Sequence, residues 1–237
     1  MYLSYLDIEQ IAAAALEDFR YCTGIDAFCT PIDQFAKDYL GLNVLFTKLS
    51  ADGSILGLTA YADTVLKAGD RGFGKNLTLK ANDVVLDSSF IESAYNIQKL
   101  CGKRRFTLAH ECAHQILFEM EPESVQKEHR QKYATRRAYS LRDLKCREDW
   151  NEWQANTLGA AILMPADRVT MVFRRLTHGR VLTSYDGRFN PPDDLAMVHL
   201  TSMFGVSRSA MAIRLEQLGF LVKKPRIEYF DPTEVIA

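Results

Sequence analysis

The sequence predicts an α+β fold from the order of its patterns. Helix-spaced apolar positions come first, short β-rich segments separated by turn residues follow, and strongly helical stretches complete the chain, without the β-α repetition of a parallel sheet. The chain has 237 residues, 47% hydrophobic and 25% charged, so it can bury a full core. A net charge of −1 argues against a surface built throughout for nucleic acid or an anionic membrane, though it leaves local patches open. The expected organisation is a main domain over 1–165, with N-terminal helices in 1–42, a small, mostly antiparallel sheet in 43–88 and long helices in 102–165, followed by a helical region over 166–237.

Residues 5–21 carry apolar positions at helical spacing, and Pro31 to Gly41 reads as a second helix with proline in its first turn and a terminal glycine. Both are packing helices. Asn43 to Leu49, Ile55 to Tyr61, Asn76 to Lys80 and Val84 to Leu86 read as strands, set apart by Asp-Gly, glycine-rich and Asn-Asp breaks. The loop Gly69 to Lys75 fits G-x-x-x-x-G-K, but Asn76 stands where magnesium coordination needs a hydroxyl. The following residues alternate like a strand where a phosphate-binding loop opens a helix. No nucleotide site is expected there.

The chemistry concentrates in Arg105 to Phe118, Arg-Phe-Thr-Leu-Ala-His-Glu-Cys-Ala-His-Gln-Ile-Leu-Phe. His110 and His114 are four residues apart, which on a helix puts both imidazoles on one face within reach of a single Zn²⁺. Glu111 lies beside that face. Its carboxylate can take a proton from a metal-held water and hand it to a leaving amine. The flanking residues are apolar nearly all round, as a buried helix requires. Cys112, turned away from the histidine face, reads as a small buried hydrophobe. The bland alternative for His110 and His114 is a pair of core histidines satisfied by hydrogen bonds.

A catalytic zinc normally keeps three protein ligands, and a candidate third one is Glu152, at the start of a helix that becomes apolar and stops at Pro165. Alone, Glu152 would be a helix-surface carboxylate. Asn156 follows it by one turn, so if Glu152 is a ligand, Asn156 is placed to hydrogen-bond within the site.

These two segments together resemble the ImmA/IrrE family of zinc metallopeptidases, in which an Arg-Phe-Thr-Leu-Ala-His-Glu-x-x-His helix is followed by a Glu-x-x-Ala-Asn helix ending in Leu-Met-Pro. The resemblance covers roughly residues 31–165 with specific motifs and the remainder loosely. It implies a zincin-like fold, one Zn²⁺ per chain on His110, His114 and Glu152, and Glu111 as general base. It also implies a zinc endopeptidase that cleaves a helix-turn-helix transcriptional repressor, an activity often encoded in mobile elements.

The chain departs from that pattern between the motifs. Residues 124–147 hold Lys127, Arg130, Lys132, Arg136, Arg137, Arg142, Lys145 and Arg147 against Glu128 and Asp143. Such a run is either a solvated surface or a dock for an acidic partner, for which Arg136, Arg137, Arg142 and Lys145 are the candidates. Tyr133, Tyr139, His129 and His178 are candidates for stabilising an oxyanion, and the sequence does not choose among them. Residues 193–220 look like a helix-turn-helix with Gly205, Val206 and Ser207 as the turn and cap, its second helix presenting Arg208, Ser209 and Arg214. That is thin for reading bases, so direct DNA binding is not favoured.

Five cysteines without C-x-x-C spacing, no basic leader and no long apolar run suggest reduced thiols, no membrane and a cytoplasmic setting. The competing function is a non-catalytic regulator acting through the C-terminal helices. A substrate peptide is expected to lie along a strand edge beside the metal helix, with Asn76 to Lys80 and Val84 to Leu86 as the candidate strands.

Overall fold

The computed structural model describes residues 2–50, 52–66, 76–92, 97–132 and 147–229. Contacts divide the chain into two compact units, Met1–Pro165 and Ala166–Ala237. The glycine loop at 69–75, the docking candidates Arg136, Arg137, Arg142 and Lys145, the oxyanion candidates Tyr133 and Tyr139, and the side chain of His129 lie outside the described residues.

In the first unit, α1 (Tyr5–Thr23) starts at Ser4, whose hydroxyl caps Asp7 N–H while the Asp7 carboxylate reaches back to the Ser4 N–H at 2.8 Å. Gly24 ends it in the left-handed conformation at φ 70°. Its core face is Ile8, Ala12, Ala15 and Phe19, spaced for one stripe of a helix. The expected second helix is a short α2 (Ile32–Gln34) running into a π-helical turn, Phe35–Tyr39, with Phe35 fully buried.

The sheet region differs from the expectation in pairing. A three-stranded sheet has the order β1 (Asn43–Thr47), β5 (Asp83–Asp87), β2 (Gly57–Thr59), with β1 parallel and β2 antiparallel to β5. β3 (Thr64–Leu66), not anticipated, pairs with β4 (Leu77–Leu79) in a separate antiparallel sheet. The sheet is therefore mixed, because β5 returns beside β1 only after β2, β3 and β4 have intervened in the chain. All five residues of β5 are buried, as its central place requires, and Val85 joins Leu49, Ile55, Leu58, Ala60 and Leu79 in one core cluster.

After α3 (Ser89–Glu92) come α4 (Ile97–Glu119), α5 (Glu123–Lys132) and α6 (Arg147–Leu163). α6 packs between α4 and α1, and β2 and β5 cover α4 from another side. The segment before α2 clasps both long helices. The Thr30 hydroxyl donates to Ile162 O of α6 at 2.7 Å, Arg105 of α4 donates to Thr30 O at 3.0 Å, and Arg104 grips both carboxylate oxygens of Asp33.

The second unit was expected to be helical and is instead mixed. α7 (Ala166–Thr177), α8 (Pro191–Phe204) and α9 (Arg208–Gln217) accompany a sheet of order β7 (Arg188–Phe189), β6 (Leu182–Tyr185), β8 (Leu221–Lys224). α8 is capped by Asn190 and ends at Gly205 with φ 60°, and Ser207 caps α9 through Ala210 N–H. Arg214 is fully buried, so it is not presented on α9 as the sequence suggested. Arg208 is held by Asp194 and lies over the Phe189 ring at 5.0 Å. Among the described residues, no helix is long and apolar enough to cross a membrane.

Candidate metal centre

α4 carries two polar faces, separated by about 100° because successive residues turn by that angle. One face holds His110 and His114. The other holds Thr107, Glu111 and Gln115, each four residues from the next.

The histidine face meets α6. Glu152 Oε2 lies 3.3 Å from His110 Nε2 and Glu152 Oε1 lies 3.2 Å from His114 Nε2, while the two Nε2 atoms are 3.0 Å apart. The three residues offer one ligand atom each within 4.8 Å of one another, and form the one such group among the described residues. The edge of a tetrahedron with metal bonds of about 2.0–2.1 Å is about 3.4 Å, so the observed spacings fit one small divalent ion after a shift of a few tenths of an ångström. His114 and Glu152 are buried, and His110 is the more open of the two histidines.

Electrostatics agree with that fit. Burial raises the pKa of Glu152, yet hydrogen bonds from His110 and His114 and their charge outweigh it and hold the carboxyl well below the usual range. Burial likewise opposes charge on His110, but Glu152, the negative charge of Glu111 and hydrogen bonding to Asn156 raise it above an ordinary imidazole. The cluster is a buried carboxylate that draws positive charge toward two imidazoles. A divalent cation answers that demand with the histidines neutral, the form in which they ligate metals.

What brings α6 close enough is Gly159. A Cβ at that position would lie 3.0 Å from Ala109 C and His110 N and 3.1 Å from Ala109 O. These are backbone atoms of α4, and they have nowhere to go. Gly159 thus sets the helix spacing that lets Glu152, two turns earlier, reach both histidines.

The second face meets β2, the edge strand. Gln115 Nε2 donates to Thr59 Oγ1 and, at 3.2 Å, to Ala60 O. Thr107 Oγ1 donates to Lys103 O at 3.0 Å, which turns its methyl group outward to Gly57. Glu111 is buried between the histidine face and this strand. The strand beside the helix is therefore β2, and the expectation of Asn76 to Lys80 or Val84 to Leu86 is corrected. Val84 to Leu86 has a neighbour on each side, and Leu77–Leu79 pairs in the other sheet. A strand paired on both sides has no edge to offer.

His110, Glu111, His114, Glu152 and Asn156, the residues expected from the sequence, lie together at the α4–α6 contact. Gly57, Thr107, Gln115 and Gly159 join them without having been singled out by any motif. An isolated glycine within a strand or a helix is the available signal of a close backbone approach, and both glycines carried it. The remaining candidate, His178, belongs to the second unit, where it holds a positive φ of 55° just after α7.

In comparison with known proteins, residues 99–216 match Peptidase_M78, the IrrE N-terminal-like domain. That span runs from the first turn of α4 into α9. No curated protein matches the chain.

Proposed function

We propose that this protein, whose residues 99–216 match the IrrE N-terminal-like domain of the Peptidase_M78 family, is a zinc-dependent endopeptidase that cuts one specific protein, a helix-turn-helix transcriptional repressor. The observation that carries the catalytic part is the convergence of His110, His114 and Glu152 within 4.8 Å on one side of α4, with Glu111 on the adjoining face. Two histidines and one carboxylate leave room for a water or substrate, whereas structural zinc sites are usually closed by four cysteine or histidine ligands. The repressor as substrate rests on the resemblance described above.

His110, His114 and Glu152 would hold the ion, and Asn156, one turn after Glu152 on α6, is placed to orient the His110 ring. When bound, zinc supplies a Lewis acid that polarises the scissile carbonyl and acidifies water. Glu111 takes a proton from the attacking water as the new C–O bond forms. It then delivers that proton to the amide nitrogen as the C–N bond breaks. The outer edge of β2 pairs with the backbone of an extended peptide, which gives affinity without much choice of sequence. Selectivity then comes from surfaces away from the cut, and Arg136, Arg137, Arg142 and Lys145 are the basic candidates for docking an acidic region of the substrate.

DNA binding by α9 is not favoured. Arg214 is buried and Arg208, though exposed, is engaged by Asp194; the other exposed residues of α9 are Ser209, Ile213, Glu216 and Gln217, none of them basic.

The test is to incubate the purified zinc-loaded protein with casein and with helix-turn-helix repressors from the same genome, and to read both by mass spectrometry. Casein should stay intact and one repressor should be cut at one place. Glu111→Gln should keep zinc and the fold while cleavage falls about 10³-fold, because a carboxamide does not carry the proton. Cleavage by that variant at the wild-type rate removes Glu111 from the chemistry.

A further inference from the structure

We propose that Gly57 is a positioning residue for Glu111, and that its missing side chain is what allows the carboxylate to stand between the metal face and the edge strand. This rests on Glu111 being the general base. A Cβ built at Gly57 lies 2.7 Å from Glu111 Oε1, 3.3 Å from Glu111 Cδ and 2.7 Å from Thr107 Cγ2. Gly57 is not among the glycines with positive φ, so the backbone there suits any residue. The requirement is one of space.

The neighbours decide which group yields when that space is filled. Thr107 is β-branched on a helix and its hydroxyl is tied to Lys103 O, so its methyl is fixed. The strand cannot slide away either. Gln115 pins its far end at Thr59 and Ala60, and β5 pairs with it at Gly57, Leu58 and Thr59. Of the groups a Cβ would meet, the Glu111 carboxylate is the far end of a flexible side chain and gives way at the least cost. A methyl group at 57 therefore moves the Glu111 head and leaves its contact with the Thr107 methyl as strain, while the metal ligands, His110 and His114 on the other face of α4 and Glu152 on α6, stay in place.

This reading separates two effects that a purely structural role would join. Gly57→Ala should bind one zinc per chain by elemental analysis, as the wild type does, and melt at a lower temperature because of the clash with Thr107. Adding Thr107→Ser removes Cγ2 but keeps the hydroxyl, so the melting temperature should recover. Turnover should not recover with it. On the peptide that the wild type cuts fastest from a proteome-derived library, kcat should be about 100-fold lower in both variants with KM unchanged, the size expected for misplacing a reacting group by about 1 Å. A crystal structure of Gly57→Ala should show the Glu111 carboxylate displaced by a comparable distance. An unmoved carboxylate, or kcat that returns along with the melting temperature in the double variant, overturns the proposal. If the wild type cuts neither a peptide of that library nor a helix-turn-helix repressor, the reading of the protein as a peptidase fails, and the crystal structure still decides whether Gly57 positions Glu111.

Discussion

Each unit buries a carboxylate, and the two are satisfied in different ways. Asp193, in the first turn of α8, is fully buried, and it faces the Arg180 guanidinium at 2.6 Å while accepting from Thr183 N–H at 3.0 Å. Its counter-charge is permanent and supplied by the chain. Glu152 is almost as deeply buried but faces two imidazoles, which are charged only when protonated. A buried carboxylate set against arginine is a closed structural cluster. One set against a pair of histidines is a place where charge is exchangeable, either with protons or with a metal ion. Depth of burial does not separate the two cases; the partner does.

The largest effect should come from attacking the exchangeable cluster. His114→Ala should take zinc from one per chain to none and lower peptide cleavage by about 10³-fold or more. Zinc added to the metal-free wild type at a hundred times its Kd should stabilise it by about 2.7 kcal/mol, a gain the variant should lack. Equal zinc in the two proteins, measured by elemental analysis, breaks the contrast at its root.

A smaller effect should follow at the fixed cluster. Arg180→Ala leaves Asp193 buried without its guanidinium and should cost about 2 kcal/mol in chemical denaturation, since half of the arginine side chain is already solvated. That loss should be the same with and without zinc, because the arginine holds no metal. A zinc-dependent loss would show that the two carboxylates are not different in kind.

The smallest effect sharpens the comparison with a third carboxylate, satisfied chiefly by N–H and O–H donors, with the Lys48 charge a lesser aid. Burial pushes Asp87 upward, but the Leu49 N–H at 2.9 Å and Ser89 beside it hold its pKa below the usual value. A carboxyl depressed in the folded state stabilises above its unfolded pKa of about 3.9, and that contribution drains away as pH falls through the lower folded value. Asp87→Asn should therefore show a flatter loss of stability below about pH 4 than the wild type in urea titrations. Parallel curves for the two proteins would take Asp87 out of the acid response.

What could be read in advance was local. His110 and His114 declare themselves because helical period alone puts them on one face, and Glu152 followed from the need for a third ligand together with the resemblance. The pairing of strands did not declare itself. β1 lies beside β5, forty residues away, in parallel, and nothing within either segment specifies a partner so distant in sequence. The small sheet of the second unit was missed for a related reason. Leu182–Tyr185 and Leu221–Lys224 are four-residue strands that become a sheet only when α8 and α9 fold between them. Arg214 was misplaced because a helical pattern shows which residues share a face, not that a charged one will point inward. The glycines carried a signal without its meaning, since the reason for a missing Cβ lies in whatever stands opposite.

Damage at the two glycines should be repaired differently in a genetic screen. Gly57 faces two side chains, so a lesion there has intragenic suppressors of stability within reach, the nearest at Thr107. Gly159 faces the main chain at Ala109 and His110, which every substitution on α4 leaves in place. A lesion at Gly159 is therefore a lesion without a second-site cure on α4, and reversion to glycine is the direct way back.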